Sequence, residues 1–385
     1  MLKQTVVALA LLGCAASNEE AGAPGPGSLT PGDTGSPIVV DGGPGSLDAP
    51  QPDAIGDGGC AAAEAVAKKS PVDIIMVVDQ SDSMTEKIAS VKANLNKLGA
   101  LLDAADLDYR LVMIAKYLAA DAKGIDKYGV CIAPPLAGAA CGSNPPVYRT
   151  VQQLVGSFTQ YYDILHTYDS SDPKLKWSDT LRFNALKAFV IVTDDDGVYP
   201  WSPTSTAEWP KPEATIASFD AALLARGGGM FGTTIKRKYV FYPICGAAAD
   251  PSVKCPTAVN NSPTYVGLAK LTGGKWFPVC DANFGPVFDA IGSTLATTVA
   301  CELTIPAPPS GEAIDLGKVN VTSACGGPAE VVYKDDTKPC DSGANGWQYS
   351  ADKKSVVLCG AACAKVKADL ACKVRVQFGC TTKIR

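Results

Sequence analysis

The sequence predicts an α/β protein: a doubly wound, mostly parallel sheet, followed by a small disulfide-rich, β-rich C-terminal module. Three observations carry this. Two runs, Val72–Val78 (VDIIMVV) and Lys187–Thr193 (KAFVIVT), are almost continuously apolar, as strands covered on both faces must be. Amphipathic helical patterns alternate with these and with further short apolar runs, the order of βαβ units with right-handed crossovers. From Glu302 onward, six cysteines fall among short β-branched runs.

The chain has 385 residues, which leaves room for one large domain, a smaller one and an unfolded tail. Met1 to Ala16 reads as a signal peptide, with Lys3 before the apolar run Val6–Leu12. Its end, Leu11-Leu12-Gly13-Cys14, resembles a bacterial lipoprotein cleavage box, so Cys14 is expected to become the lipidated first residue. No other stretch is long and apolar enough to span a bilayer, and the protein is expected to be anchored to a membrane rather than embedded in it. Residues 15–59 are rich in Gly, Pro, Ser, Ala and Asp, with no Lys, Arg or aromatic residue. Such a stretch cannot bury enough apolar surface to offset its ordering entropy, which predicts a disordered tether. The predicted organisation is therefore 1–14 signal and lipidated cysteine, 15–59 tether, 60–301 α/β domain and 302–385 cysteine-rich module.

The formal net charge of −5 belongs to the tail. Residues 1–59 hold one Lys and seven acidic residues, which leaves 33 basic and 32 acidic residues beyond. Without a basic patch, nucleic-acid binding is excluded. Fourteen cysteines fit an exported, oxidising setting. With Cys14 set aside the remainder is odd, so at least one thiol is free or intermolecular. There is no CxxC pair and only one histidine, His166, which argues against a cysteine-held metal.

Ile88, Val91, Leu95, Leu98, Leu101 and Leu102 recur at helical spacing to about Asp106, and Tyr109–Ala115 is a second strand. Lys116–Pro146 is an irregular insertion, stapled to itself by Cys131 and Cys141. Thr150–Phe158 reads as a short helix. Tyr162–Ser171 (YDILHTYDSS) is expected to return to the carboxyl edge of the sheet. In the Pro/Trp-rich loop Trp201–Lys211, Trp201 and Trp209 either contact a partner or pack the loop down. Ala214–Arg226, Tyr265–Leu271 and Phe284–Ala300 are helical; Lys238–Cys245 and Lys275–Val279 are strands. Cys60 and Cys301 flank the domain, whose termini should lie close together, which predicts a Cys60–Cys301 clasp. Two of Cys245, Cys255 and Cys280 pair, with the choice open. Beyond Glu302, strands are expected at 318–321, 329–333, 347–350, 355–358 and 373–378, a helix at 361–370, and internal pairing of the six cysteines.

The first apolar run ends in Asp79-Gln80-Ser81-Asp82-Ser83. In an open α/β sheet ligands bind at the carboxyl ends of strands. The spacing Asp79-x-Ser81-x-Ser83 lets three hard oxygens converge on one small cation such as Mg²⁺. The second run ends in Asp194-Asp195-Asp196-Gly197, so two strands deliver carboxylates to one edge. Asp195 and Asp196 either hold a second ion or face solvent, and the expectation is solvent.

These two loops resemble the metal-ion-dependent adhesion site of von Willebrand factor A-type domains, whose signature is Asp-x-Ser-x-Ser after the first strand and Thr-Asp-Gly after a later one. The resemblance covers about Pro71–Ala300. It implies metal ligation by Asp79, Ser81 and Ser83, with Asp194 acting through a bound water. It also implies a ligand, usually Thr, from a second loop, for which Thr167, Ser170 and Ser171 are the candidates. The implied ion is a single Mg²⁺ (or Mn²⁺ or Ca²⁺), and the implied partner a protein or glycan that offers a carboxylate. The expectation is a non-enzymatic, lipid-anchored binding protein of the outer membrane or cell surface, in an arrangement that looks like exported proteins of Gram-negative bacteria. Two alternatives are an envelope or assembly component with a degenerate site, and a metal-dependent hydrolase. The hydrolase is disfavoured by the lone histidine and by the lack of Gly-x-Ser-x-Gly and HExxH motifs.

Overall fold

The computed structural model describes residues 63–384, apart from 121–123, 125, 202–207, 306, 308–312 and 370. The signal peptide, Cys14, the tether and Cys60 lie outside the described residues. Two short strands come first, β1 (Ala63–Val66) and β2 (Lys68–Lys69). The α/β unit then runs β3 (Val72–Val78), α1 (Thr85–Ala104), β4 (Tyr109–Ile114), β5 (Tyr148–Val151), α2 (Gln160–Tyr168), β6 (Leu186–Val192), α3 (Pro212–Leu224), β7 (Tyr239–Phe241), β8 (Ile244–Cys245), α4 (Pro263–Thr272), β9 (Phe277–Pro278) and α5 (Gly285–Val299).

Its sheet has the order β5-β4-β3-β6-β8-β9. All of its pairings are parallel. β7 and β8 lie in succession along the same side of β6, pairing with Lys187–Phe189 and with Val192. They are one strand interrupted at Tyr242-Pro243, because Pro243 has no N–H to give the ladder. The strand expected over 238–245 is therefore broken. Counted along the sequence, the order reverses between β3 and β6. That is the topological switch point of a doubly wound sheet, where a crevice opens outside the carboxyl ends.

The continuous apolar run of β3 has a direct cause. Ile74, Met76 and Val78 face one core with Ile88, Leu95 and Leu98 of α1 and Phe288 and Ile291 of α5. Ile75 and Val77 face a second core with Tyr161 and Ile164 of α2, Phe219 of α3 and Tyr265 of α4. Period-two alternation thus feeds two apolar faces, and each such buried side chain is worth about 1.5–3 kcal/mol. Two polar residues inside the strand runs are satisfied at the opposite end of the sheet from the crevice. Asp73 accepts from the Arg182 amide at 2.7 Å, and Lys187 donates to Arg182 O at 2.6 Å.

The helix expected over 150–158 is displaced. Residues 148–151 form β5, a loop follows, and the helix is α2. Gly156 interrupts the earlier stretch, whereas Tyr161, Ile164, Leu165 and Tyr168 recur at i, i+3, i+4 and i+7 and are all buried.

The remaining elements are β10 (Glu302–Thr304), β11 (Val319–Ala324), β12 (Glu330–Val332), β13 (Trp347–Tyr349), β14 (Ser355–Leu358), α6 (Gly360–Ala368) and β15 (Lys373–Phe378). They form two four-stranded sheets, β1-β15-β11-β12 and β13-β14-β10-β2, over a shared core that includes Val321, Val376, Leu303, Trp347 and Val356. The β-rich part is therefore not built from the C-terminal stretch alone. β1 and β2, which fall inside the expected 60–301 domain, pair with β15 and β10. Ser70 and Pro71 on one side, and Ala300 and Cys301 on the other, are the only residues between these sheets and the α/β unit.

Disulfides join Cys131–Cys141, Cys255–Cys280, Cys301–Cys363, Cys325–Cys372 and Cys340–Cys359. Cys245 is unpaired and buried. The expected Cys60–Cys301 clasp is corrected: Cys301 bonds Cys363 on α6. Proximity of the domain's ends is supplied by strand pairing instead, with Ser70 N donating to Glu302 O at 2.7 Å. The expected self-contained pairing of the last six cysteines is corrected by the same bond, because Cys363 reaches back to the end of α5.

Candidate metal centre

β3 delivers Asp79 to the switch point, its amide still bonded to Val192 O at 2.9 Å. The side chain then turns back on its own loop. Asp79 Oδ1 accepts from the Ser81 amide at 2.8 Å, an Asx-type turn that swings the next residues around the carboxylate. Ser81 Oγ and Ser83 Oγ lie 3.2 Å apart. From β6, Thr193 donates its hydroxyl to Asp79 Oδ2 at 2.7 Å, and Asp194 Oδ1 accepts from Ser83 Oγ at 2.9 Å. The two strand-end loops singled out in the sequence, 111 residues apart, thus meet side chain to side chain.

Carboxylate oxygens of Asp79, Asp194 and Asp195 lie within 4.8 Å of one another, and all three residues are buried. Burial pushes the Asp79 carboxyl up to about 6; bonds from Ser81 and Thr193 oppose this, and the Asp194 charge adds to it. Burial likewise raises Asp195; the bond from Asn260 pulls against it, the Asp194 charge adds to the rise, and a bond from Ser157 opposes it. Carboxylates crowded away from water are held at a cost that a bound cation removes. The donors are oxygens only, three carboxylates and two hydroxyls, so the cluster can hold a hard cation of the Mg²⁺, Ca²⁺ or Mn²⁺ class. A positive side chain already touches it. Lys87 Nζ stands 3.2 Å from Asp194 Oδ2 and donates to Ser83 O at 2.9 Å and Thr257 O at 3.4 Å.

Asp195 is buried rather than facing solvent as expected, and Asp196 is half-buried. Asp195 belongs to the cluster and accepts from Asn260 Nδ2 at 2.5 Å. Asp196 accepts from Thr264 Oγ1 at 2.5 Å, and burial raises its carboxyl to about 7 against the bonds from Thr264 and Gly197. The chain needs glycine next. A Cβ at Gly197 would stand 2.4 Å from Tyr161 Cε2 and 2.5 Å from the Tyr265 hydroxyl.

The second-loop candidates are corrected too. Thr167 is buried on α2, where it donates to Asp163 O at 2.6 Å and accepts from Trp177 Nε1 at 2.9 Å. The end of α2 that approaches the centre is the other one: Gln160 Nε2 lies 3.3 Å from Thr193 Oγ1. Seven residues of helix put Thr167 about 10 Å further on. Ser170 and Ser171 follow that distal end, and Ser170 Oγ accepts from the Asp172 amide at 3.2 Å. His166 is exposed and stacked on Tyr162. The loop that reaches the centre is 152–159. Its Val155 carbonyl accepts from the Gln80 amide at 2.9 Å, and its Ser157 bonds Asp195. Sequence reasoning passed over Ser157; the helical spacing from Tyr161 to Tyr168 is the signal that puts its loop after β5, at the carboxyl edge.

The surroundings are braced. Gln80 Nε2 donates to Lys116 O at 2.9 Å and Tyr128 O at 2.7 Å, and Gln80 Oε1 accepts from the Lys116 amide, so the insertion is tied to the Asp79 loop. The Tyr128 hydroxyl donates to Asp82 at 2.7 Å. Val259 and Asn260 amides both donate to Asp194 O, at 2.9 and 3.0 Å. Beside the carboxylates lies a cleft of about 340 Å³ lined by Phe158, Asp196, Trp209, Asn260, Asn261 and Thr264. Trp209 packs on Phe158 with ring centroids 4.6 Å apart, yet remains 58% exposed. Trp201 packs against Tyr162.

No protein-family model matches the chain, and no curated protein is similar to it in sequence.

Proposed function

We propose that the protein is a metal-dependent binding protein with a von Willebrand factor A-type adhesion site. In this reading one Mg²⁺, or Mn²⁺ or Ca²⁺, is held by Asp79, Ser81 and Ser83 with Asp194 behind them. A carboxylate from a protein or glycan partner completes its shell, because a hard cation takes a hard oxygen donor at the coordination position the protein leaves open. The observation that carries the reading is the bond from Ser83 Oγ to Asp194 Oδ1 at the switch point, which joins the two halves of the signature. The cleft beside it, with Trp209 exposed at its rim, offers the rest of the partner an aromatic contact. The protein acts by binding rather than by turnover. The sequence of residues 1–59 adds export and a lipid anchor at Cys14, which would hold the domain outside the cell, where divalent ions are abundant.

Calorimetric titration of the protein with Mg²⁺ or Mn²⁺ tests the centre. Saturable binding in the parent and none in Asp79→Ala is expected; no binding in either removes the proposal. A panel of carboxylated glycans and peptides, measured with and without Mg²⁺, tests the partner class. For the anchor, Cys14→Ser should free the protein from membranes, and continued membrane association would exclude lipidation.

A further inference from the structure

We propose that Lys87 is a tethered cation that competes with the metal ion for Asp194, and so sets how tightly the centre binds and which ion charge it prefers. The inference rests on the cluster being a metal centre. Lys87 lies in the first turn of α1, four residues and so about one helical turn beyond Ser83, and its side chain leads back over Ser83. Its ammonium touches three oxygens: Asp194 Oδ2 at 3.2 Å, Ser83 O at 2.9 Å and Thr257 O at 3.4 Å. The side chain is only 12% exposed, so solvent screens the contact weakly. Asp194 is divided between the two: Oδ1 takes the Ser83 hydroxyl and Oδ2 takes Lys87.

An ion drawn in by Asp79, Ser81 and Ser83 must approach Asp194 against this resident charge. Three carboxylates and one ammonium leave a formal excess of two negative charges, which a divalent ion neutralises. Without the ammonium the excess is three, and a trivalent ion is matched instead. Repulsion between the ammonium and the ion scales with the product of their charges, so the penalty from Lys87 is larger for a trivalent ion than for a divalent ion of similar size.

Calorimetry with Mn²⁺ and Ca²⁺, and luminescence titration with Tb³⁺, on the parent, Lys87→Gln and Lys87→Met test this. Both variants keep the stem and lose the charge. Removal of the charge is expected to tighten Mn²⁺ binding by roughly tenfold or more. The gain for Tb³⁺ should exceed the gain for Ca²⁺, and Lys87→Arg should stay near the parent. Equal or weaker binding in both neutral variants, with the parent still binding, overturns the role of Lys87 and leaves the metal centre standing. Equal gains for Tb³⁺ and Ca²⁺ overturn the charge preference. No binding of any ion to parent or variants overturns the centre itself.

Discussion

The hydroxyl of Thr193 donates to Asp79 Oδ2 at 2.7 Å across 114 residues of chain. It closes the gap between the ends of β3 and β6 and holds a buried carboxylate in place. Thr193→Val keeps the volume and removes the donor. We expect the metal-free protein to lose about 1–3 kcal/mol, the cost of a buried acceptor left with fewer partners. Mn²⁺ affinity should fall with it, since Asp79 is no longer aimed. Thermal unfolding and calorimetry read the two effects separately.

Ser157 and Thr167 make opposite predictions. Ser157→Ala should weaken Mg²⁺ or Mn²⁺ binding several-fold with little change in stability, because its loop borders Asp195. Thr167→Ala should leave metal affinity unchanged. It strands the buried Trp177 Nε1, whose acceptor is the Thr167 hydroxyl, at about 1–3 kcal/mol of folding stability. Titration and chemical denaturation of the two variants should therefore swap rank.

Asp163 gives the stability a pH dependence. It is buried at the start of α2, and burial raises its carboxyl to about 7 despite bonds from Thr159 and Gln153; the unperturbed value is 3.8. Between those values the folded state keeps a proton that the unfolded chain has released. Stability from this group is therefore intact below the unfolded value and is lost as pH rises towards the folded one. Asp163→Asn removes that loss. Its melting temperature relative to the parent should rise between pH 5 and pH 8, with metal absent throughout.

Cys301–Cys363 spans 62 residues and ties the end of α5 to α6. Cys301→Ser and Cys363→Ser should each cost about 2–4 kcal/mol in denaturant unfolding. The double variant should cost no more than either alone, since both remove one bond.

Ion binding should itself stabilise. At a hundred times the dissociation constant, Mg²⁺ or Mn²⁺ should add about 2.7 kcal/mol, and nothing in Asp79→Ala.

The strand-end loops were legible in the sequence because their signals are local. An apolar run longer than alternation allows means a strand covered on both faces, and the polar residue that ends it must lie at the sheet edge. Asp79, Ser81, Ser83 and Asp194 are therefore marked by residues adjacent to them in sequence. The second loop was not legible in the same way, because Thr150–Phe158 has a helix-like pattern that the fold overrides with β5 and a loop. The helical spacing begins eleven residues after Thr150, at Tyr161, which puts the loop at the other end of α2.

The sequence by itself determined the two covered strands, the covering helices α1, α3, α4 and α5 and the identity of the paired carboxylates, because each follows from a pattern within a few residues. Tertiary structure alone decided what stands around those carboxylates. Strand order put β3 beside β6, and their parallel register brought Ser83 to Asp194. The same packing turned Asp195 inward and laid Lys87 across Asp194. It also carried β1 and β2 into sheets with strands from the far end of the chain and gave Cys301 to Cys363. These are contacts between residues tens to hundreds apart, and no local pattern encodes which of the available partners a folded chain will bring within reach.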